Sequence, residues 1–279
     1  MRVLNFILSH SIFIAFCAGG LAYQTFMLLG EPFQPEVFGL VFFSTLAAYN
    51  TYWILCKLKN DKKNKISLQF NTYSGYFILI AASAIAVLDY LWQNPAFFPL
   101  VLIASFLTFI YMLPIVSTIK NRFHRKAGII KTILLAFTWS FFTVLIPSFE
   151  NAEVKEINLS LVTNVFLMRF FFMLMLCIIF DFRDVAVDKL RNLTSIATDF
   201  SKKTISGIMI SVLACYVFSV FGLYHSAPNN KYLFILLLMG ALTFIIYILS
   251  LKTRGYYFYY FLVDGLMILS ALSLYMATI

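Results

Sequence analysis

Long apolar runs separated by short polar segments follow one another along the whole chain. A helix needs about 20 consecutive apolar residues to cross the hydrocarbon core of a bilayer, and runs of this length recur throughout the sequence. The fold class is therefore predicted to be all-α, a polytopic membrane protein with about nine transmembrane helices. The predicted spans are 4–29, 35–56, 71–91, 97–117, 128–148, 158–180, 205–224, 231–250 and 256–278.

The composition supports the same class. Of 279 residues, 62% are hydrophobic and only 12% are charged, which is far from the average of soluble proteins. Little chain remains between the spans, so residues 1–279 are predicted to form a single integral membrane domain. The first apolar run continues past Gly19 and Gly20 to about Leu29, which is too long for a signal peptide, and a retained first helix is expected.

Charged residues are distributed unequally between the predicted loops. Basic residues concentrate at positions 2, 57–65, 120–131, 183–203 and 252–254, which all lie on one side of the nine-span arrangement. The positive-inside rule then places the N-terminus in the cytoplasm and the C-terminus outside. The expected location is the bacterial inner (plasma) membrane. The net charge of +9 thus reflects topology and anionic lipid headgroups, and no nucleic-acid partner is expected.

Three carboxylates follow the sixth apolar run, as Asp181-x-x-Asp184-x-x-x-Asp188. On a helix these positions lie within roughly 60° of one another, so like charges share one face. A divalent cation such as Mg²⁺ would neutralise them, because it prefers carboxylate oxygens, water and phosphate. The alternative is a solvated helix end whose acids are paired by the neighbouring bases Arg183, Lys189 and Arg191.

Three polar residues are predicted to lie within the spans. Arg169 falls near the middle of span six, where a charge costs at least about 2.5 kcal/mol, so it should face the bundle interior. It either lines the cavity of Asp181 at greater depth or binds carbonyls and hydroxyls of neighbouring helices. Asp264 in span nine should have a buried partner, for which Arg169 is the candidate. Asn50, at the inner end of span two, is by itself typical of a packing amide.

Taken together, these residues resemble the UbiA superfamily of intramembrane prenyltransferases. The aspartates are similar to the second aspartate-rich motif of that family, and they follow span six on the side predicted to be cytoplasmic. The number of spans also matches. Tyr111-x-x-Pro114, followed by Lys120, is similar to a family segment whose base helps to hold diphosphate. The resemblance implies a UbiA-like helical bundle.

The first aspartate-rich motif departs from the family pattern. The family has Asn-x-x-x-Asp-x-x-x-Asp at the inner end of span two, whereas this chain keeps Asn50 and has Ile54 and Leu58 at the acidic positions. One of the family's two groups of Mg²⁺ ligands is therefore missing.

The resemblance implies a Mg²⁺-dependent enzyme that moves a prenyl group from a prenyl diphosphate to a lipophilic acceptor at the cytoplasmic side of the bilayer. The metal ligands would be Asp181, Asp184 and Asp188, of which Asp184 and Asp188 are also the expected catalytic residues, and the substrate would be bound by Asn50, Lys120 and Arg169.

Two other functions remain open. A protein of this fold without transferase activity would act as a lipid-binding or assembly factor, which the missing first-motif acids favour. A secondary transporter would use Arg169 and Asp264 as a charge pair near the membrane midplane.

Overall fold

The computed structural model describes residues 2–60, 70–116, 128–149, 158–191 and 195–278, and the side chains of these residues apart from 2, 57–60, 70–72, 113–116 and 186–191. All regular elements in these ranges are helical, and nine helical segments are long and apolar enough to cross a membrane. The all-α, polytopic class is confirmed, and the chain is an integral membrane protein. These segments are Ile12–Leu29, Pro35–Cys56, Tyr73–Gln93, Pro95–Met112, Gly128–Phe149, Leu159–Val185, Lys202–Ser226, Asn230–Ser250 and Phe258–Thr278.

The α-helices are numbered along the chain. They are α1 (Arg2–Ser9), α2 (Ile12–Leu29), α3 (Pro35–Asn60), α4 (Phe70–Gln93), α5 (Phe98–Val116), α6 (Gly128–Ser140), α7 (Ile146–Phe149), α8 (Leu159–Arg191), α9 (Ile196–Asp199), α10 (Lys202–Ser226), α11 (Asn230–Ser250) and α12 (Asp264–Thr278). A 3₁₀ turn, Pro95–Phe97, precedes α5. Two π-helical segments, Phe141–Leu145 and Phe258–Val263, precede α7 and α12.

Polar residues mark several helix ends. The Ser201 side chain accepts a hydrogen bond from the Thr204 backbone N–H (3.2 Å) and caps α10, and Asn229 caps α11 through the Tyr232 N–H (3.1 Å). Side-chain caps of this kind satisfy backbone donors that have no partner within the helix. After α2 the chain turns at Gly30, whose φ of +67° is readily adopted only by glycine.

The first predicted span, 4–29, is divided into α1 and α2. The division falls at His10 and Ser11, where Ser11 has a φ of 61° that ends the regular helix. Two side chains donate hydrogen bonds to backbone carbonyls at this break. The Asn50 Nδ2 donates to the His10 carbonyl (3.0 Å), and the Tyr76 hydroxyl donates to the Ser9 carbonyl (3.1 Å). Carbonyls at a helix end need such partners when they are kept from water.

The chain forms two compact units. Unit 1 comprises Met1–Gly19 and Gln34–Ile119, and in it α3 packs against α4 and α5. The approach of α2 to α3 is close, because a Cβ added to Gly19 would lie 2.5 Å from the Phe38 ring. A larger residue at this position would displace that ring.

Unit 2 comprises Gly20–Phe33 and Lys120–Ile279. Its central helix is α8, which packs against α6, α9, α10, α11 and the π-helical segment before α12. The middle of α8 is enclosed by apolar neighbours, with Met175, Ile178 and Ile179 fully buried. Unit 2 therefore encloses the helix that carries the aspartate motif.

Candidate functional site

The three aspartates of the motif lie on one uninterrupted helix. The helix α8 runs from Leu159 to Arg191, so the helical spacing predicted for Asp181, Asp184 and Asp188 is confirmed. The side chains of Asp181 and Asp184 are described, whereas that of Asp188 lies outside the described side chains.

Asp181 is held by groups from two neighbouring helices. Its Oδ2 accepts hydrogen bonds from the Thr132 hydroxyl of α6 (3.0 Å) and from the backbone N–H of Ile196, the first residue of α9 (3.3 Å). Lys131 on α6 also interacts electrostatically with this carboxylate. Asp181 thus joins α6, α8 and α9 at one end of unit 2.

Asp184 has a different partner. Arg183 donates from Nε to Oδ1 and from Nη2 to Oδ2 of Asp184, both at 2.8 Å, so both carboxylate oxygens are used. The guanidinium lies 4.8 Å from the centre of the Phe180 ring and 4.9 Å from that of Tyr260. The pairing of Arg183 with an acid, which the solvated-helix-end interpretation predicted, is present here.

The surroundings of Asp181 and Asp184 can be compared with the ligands that a Mg²⁺ ion needs. Carboxylate oxygens are the ligands that Mg²⁺ prefers, so the residues fit in kind. In the part of the chain that the structure describes, however, no three His, Cys, Asp or Glu side chains are placed to hold a metal together. Arg183 takes one acceptor position on each oxygen of Asp184, so a cation at Asp184 would bind beside a positive charge.

Asp264 belongs to the same charged cluster. It is the first residue of α12, is 5% exposed, and interacts electrostatically with Arg183. The π-helical segment Phe258–Val263 immediately before it brings Tyr260 against Arg183. Such segments often occur at functional sites, because they shift the register of the side chains that follow.

Asp264 was expected to pair with Arg169, and the structure gives the two residues different neighbours. Sequence reasoning therefore missed Asp264 as a member of the site, whereas it named Arg183 as a pairing partner of the acids. The available signal was an intramembrane acid that follows the aromatic run 256–261.

Arg169 is buried deeper in unit 2 and is 1% exposed. Its Nη2 donates to the Thr25 hydroxyl (3.3 Å), which in turn donates to the Thr143 carbonyl (2.7 Å) in the first π-helical segment. Nη1 has no hydrogen-bond partner among the described residues. The hydroxyl contact agrees with the structural interpretation of Arg169, which precedes Asp181 on α8 by about 18 Å.

The residues of the first motif lie in unit 1. Asn50 is fully buried, and its Nδ2 donates to the carbonyls of His10 (3.0 Å) and Leu46 (2.8 Å). Ile54 is 6% exposed and packs with Tyr73 and Tyr76. The face of α3 that carries Ile54 is therefore packed in an apolar core. The Leu58 side chain and the predicted substrate-binding residue Lys120 lie outside what the structure describes.

Comparisons with protein-family models, with curated protein sequences and with solved structures give no match for this chain. The resemblance to the UbiA superfamily therefore rests on the sequence motifs alone.

Proposed function

We propose that the chain is a UbiA-like prenyltransferase that moves a prenyl group from a prenyl diphosphate to a lipophilic acceptor. The observation that carries the proposal is the charged cluster of Asp181, Arg183, Asp184 and Asp264 at one end of unit 2. Charged groups are rare within membrane spans and usually mark a functional site.

The reaction needs charge stabilisation in a dry environment. The allylic C–O bond breaks, its electron pair leaves with the diphosphate, and the acceptor forms a new bond to the prenyl carbon and loses a proton. Mg²⁺ held by Asp181, Asp184 and Asp188 would supply the positive charge that stabilises the leaving diphosphate. Arg183 and Lys131 lie at the same end of unit 2 and add fixed positive charge.

The remaining proposed roles follow the resemblance. Asp184 and Asp188 are the proposed catalytic residues, while Asn50, Lys120 and Arg169 are proposed to bind substrate. Arg169 is fully buried about 18 Å from Asp181, and its Nη1, which has no hydrogen-bond partner among the described residues, can donate to a polar atom of the substrate. The proposed orientation puts the aspartates on the cytoplasmic side of a bacterial inner membrane.

The test is direct. Purified protein is incubated with radiolabelled prenyl diphosphates and a membrane lipid extract, with and without Mg²⁺, and labelled lipid products are separated. We expect Mg²⁺-dependent transfer that falls about 100-fold or more in Asp184→Asn, because a ligand and its charge are lost together. Asp199→Asn is the matched control, since Asp199 is an exposed acid on α9. No labelled product with any chain length, or equal loss in both variants, would refute the proposal.

One observation favours a second function, a lipid-binding or assembly role without transfer. Ile54 occupies a first-motif acidic position and is packed in the core of unit 1, so an acid is absent where the family has one. Binding of a fluorescent prenyl lipid that persists in Asp184→Asn, together with absent transfer in the unsubstituted protein, would select this function. The transporter alternative is not proposed, because its charge pair of Arg169 and Asp264 is not formed.

A further inference from the structure

We propose that unit 2 binds one fatty-acyl chain of a bilayer phospholipid in a cavity at the end opposite the aspartates. The cavity has a volume of about 410 Å³ and lies between the last residues of α2, the last turns of α10 and the first turns of α11. Leu161 at the beginning of α8 also lines it, about 30 Å along that helix from Asp181. The cavity is therefore separate from the charged cluster, and the inference does not rest on the proposed function.

The first step of the argument is the depth of the cavity in the membrane. Pro228 and Asn229 line it and belong to the short connection between the apolar spans of α10 and α11. Val220 and Leu236 line it from within these spans, each about 10 Å along its helix from the connection. Since spans end where the hydrocarbon core meets the lipid headgroups, the cavity extends from the level of the headgroups into the hydrocarbon.

The second step is the chemistry of the lining, which changes along this depth. The deep part is lined by Val220, Leu223 and Leu236, which are at most 4% exposed and offer only hydrocarbon to a ligand. The part nearer the connection is lined by Tyr224 and Tyr232. A volume of this size is typical of sites for small molecules, which run from about 300 to 1,000 Å³. The lining thus suits an amphipathic ligand with its apolar chain in the deep part and its polar group beside the tyrosines.

The third step is a hydrogen-bond donor at the level of the polar group. The Tyr224 hydroxyl donates to Asn230 Oδ1 (2.9 Å), whereas the Tyr232 hydroxyl has no hydrogen-bond partner among the described residues. The Tyr232 backbone N–H donates to Asn229 Oδ1 (3.1 Å), which fixes this residue in the first turn of α11. Tyrosine is enriched at membrane interfaces because one end of its ring is apolar and the other is polar. The ester carbonyls of a phospholipid lie at the same level and accept hydrogen bonds, so Tyr232 is the expected donor to the bound lipid.

The experiment measures the lipid that remains with the purified full-length protein. The protein is extracted in a mild detergent and washed extensively, and bound lipids are identified and counted by native mass spectrometry. We expect one phospholipid per chain. Val220→Phe and Ala227→Leu should each lower the retained fraction about tenfold or more, because the larger side chains occupy the space of the acyl chain. Tyr232→Phe should lower it about fivefold, because one hydrogen bond is lost.

The matched control is Leu238→Phe on α11, since Leu238 is 53% exposed and does not line the cavity. Equal retention in this control and in the two cavity-filling variants would place the lipid elsewhere and overturn the inference. Retention of no phospholipid by the unsubstituted protein, or of an isoprenoid in its place, would overturn it too.

A second measurement tests the same site if Val220→Phe does not fold. Added phospholipid should raise the midpoint of thermal unfolding of the unsubstituted protein and of Leu238→Phe, but not that of Ala227→Leu, because a ligand stabilises only the protein that binds it. An equal rise in all three proteins would refute the inference. Absent prenyl transfer by a protein that retains its phospholipid would refute the proposed function and leave this inference standing.

Discussion

One helix of each unit shows how differently an apolar helix can be buried. In unit 1, only 11% of the most apolar window of the span Tyr73–Gln93 is buried, whereas in unit 2 the figure for Leu159–Val185 is 61%. Large apolar side chains such as Ile85 and Trp92 of α4 are exposed, as suits a helix that faces lipid. Mean hydropathy is high in both spans, so it does not separate an enclosed helix from a lipid-facing one. Buried charge does: α8, the enclosed helix, carries Arg169, which is 1% exposed, whereas Asp89 of α4 is exposed.

The polar side chains of the two units also do different work. In unit 1, Asn50 and Tyr76 donate to the backbone carbonyls at the break between α1 and α2. In unit 2, Arg183 and Asp184 pair with each other, and Asp264 interacts electrostatically with Arg183. These side chains of unit 1 thus satisfy backbone carbonyls, whereas those of unit 2 form a cluster of charged groups.

The largest effect on stability is expected when a charged residue is introduced into the core of unit 1. Ile54→Asp should destabilise the protein by about 3–5 kcal/mol, because it puts an unpaired carboxylate into the cluster with Tyr73 and Tyr76. The midpoint of thermal unfolding in detergent measures the effect. Ile54→Val is the control and should cost about 1 kcal/mol. If Ile54→Asp is as stable as Ile54→Val, this face of α3 is open to water and unit 1 is a site for charge after all.

A smaller effect is expected from removing the amide that completes the backbone. Asn50→Ala should cost about 1–3 kcal/mol, because it leaves the His10 carbonyl without its donor. Thr51→Val on the same helix is a matched control. The Thr51 hydroxyl donates to the Ala47 carbonyl, which lies within α3 and not at the break. Thermal unfolding and amide hydrogen exchange at residues 9–12 should both report the loss. Equal stability of the two variants would show that the break needs no side-chain donor.

The smallest expected effect separates the two described aspartates of unit 2. Asp181→Ala should cost about 1–2 kcal/mol, because the Ile196 N–H loses its acceptor, while Thr132 can still donate to the Gly128 carbonyl. Asp184→Ala should change stability by less than about 1 kcal/mol, because the Asp184 side chain is 39% exposed. A larger loss of stability in Asp184→Ala than in Asp181→Ala would show that Asp184, and not Asp181, is the acid that stabilises the fold.

Much of the fold is predictable from the sequence, and the site much less so. The nine spans follow from apolar run length, which is a local property of the chain. The break at Ser11 was missed, since the run is continuous there and the break depends on Asn50 and Tyr76, which are distant in sequence. The electrostatic interaction of Asp264 with Arg183 was missed for a related reason. A π-helical segment turns the following residues by about 100° relative to a continuous α-helix, so the face that Asp264 presents is not readable from regular spacing.

Gly19 has a consequence for how the sequence can change over evolutionary time. An alanine there would place its methyl group 2.5 Å from the Phe38 ring, and that ring is stacked on Phe42 with a centroid distance of 6.5 Å. A larger residue at position 19 therefore requires the Phe38 ring to move, and a smaller or differently shaped residue at position 38 removes that requirement. In related chains the two positions should covary: glycine at 19 is expected with an aromatic residue at 38, and alanine or serine at 19 with an aliphatic one.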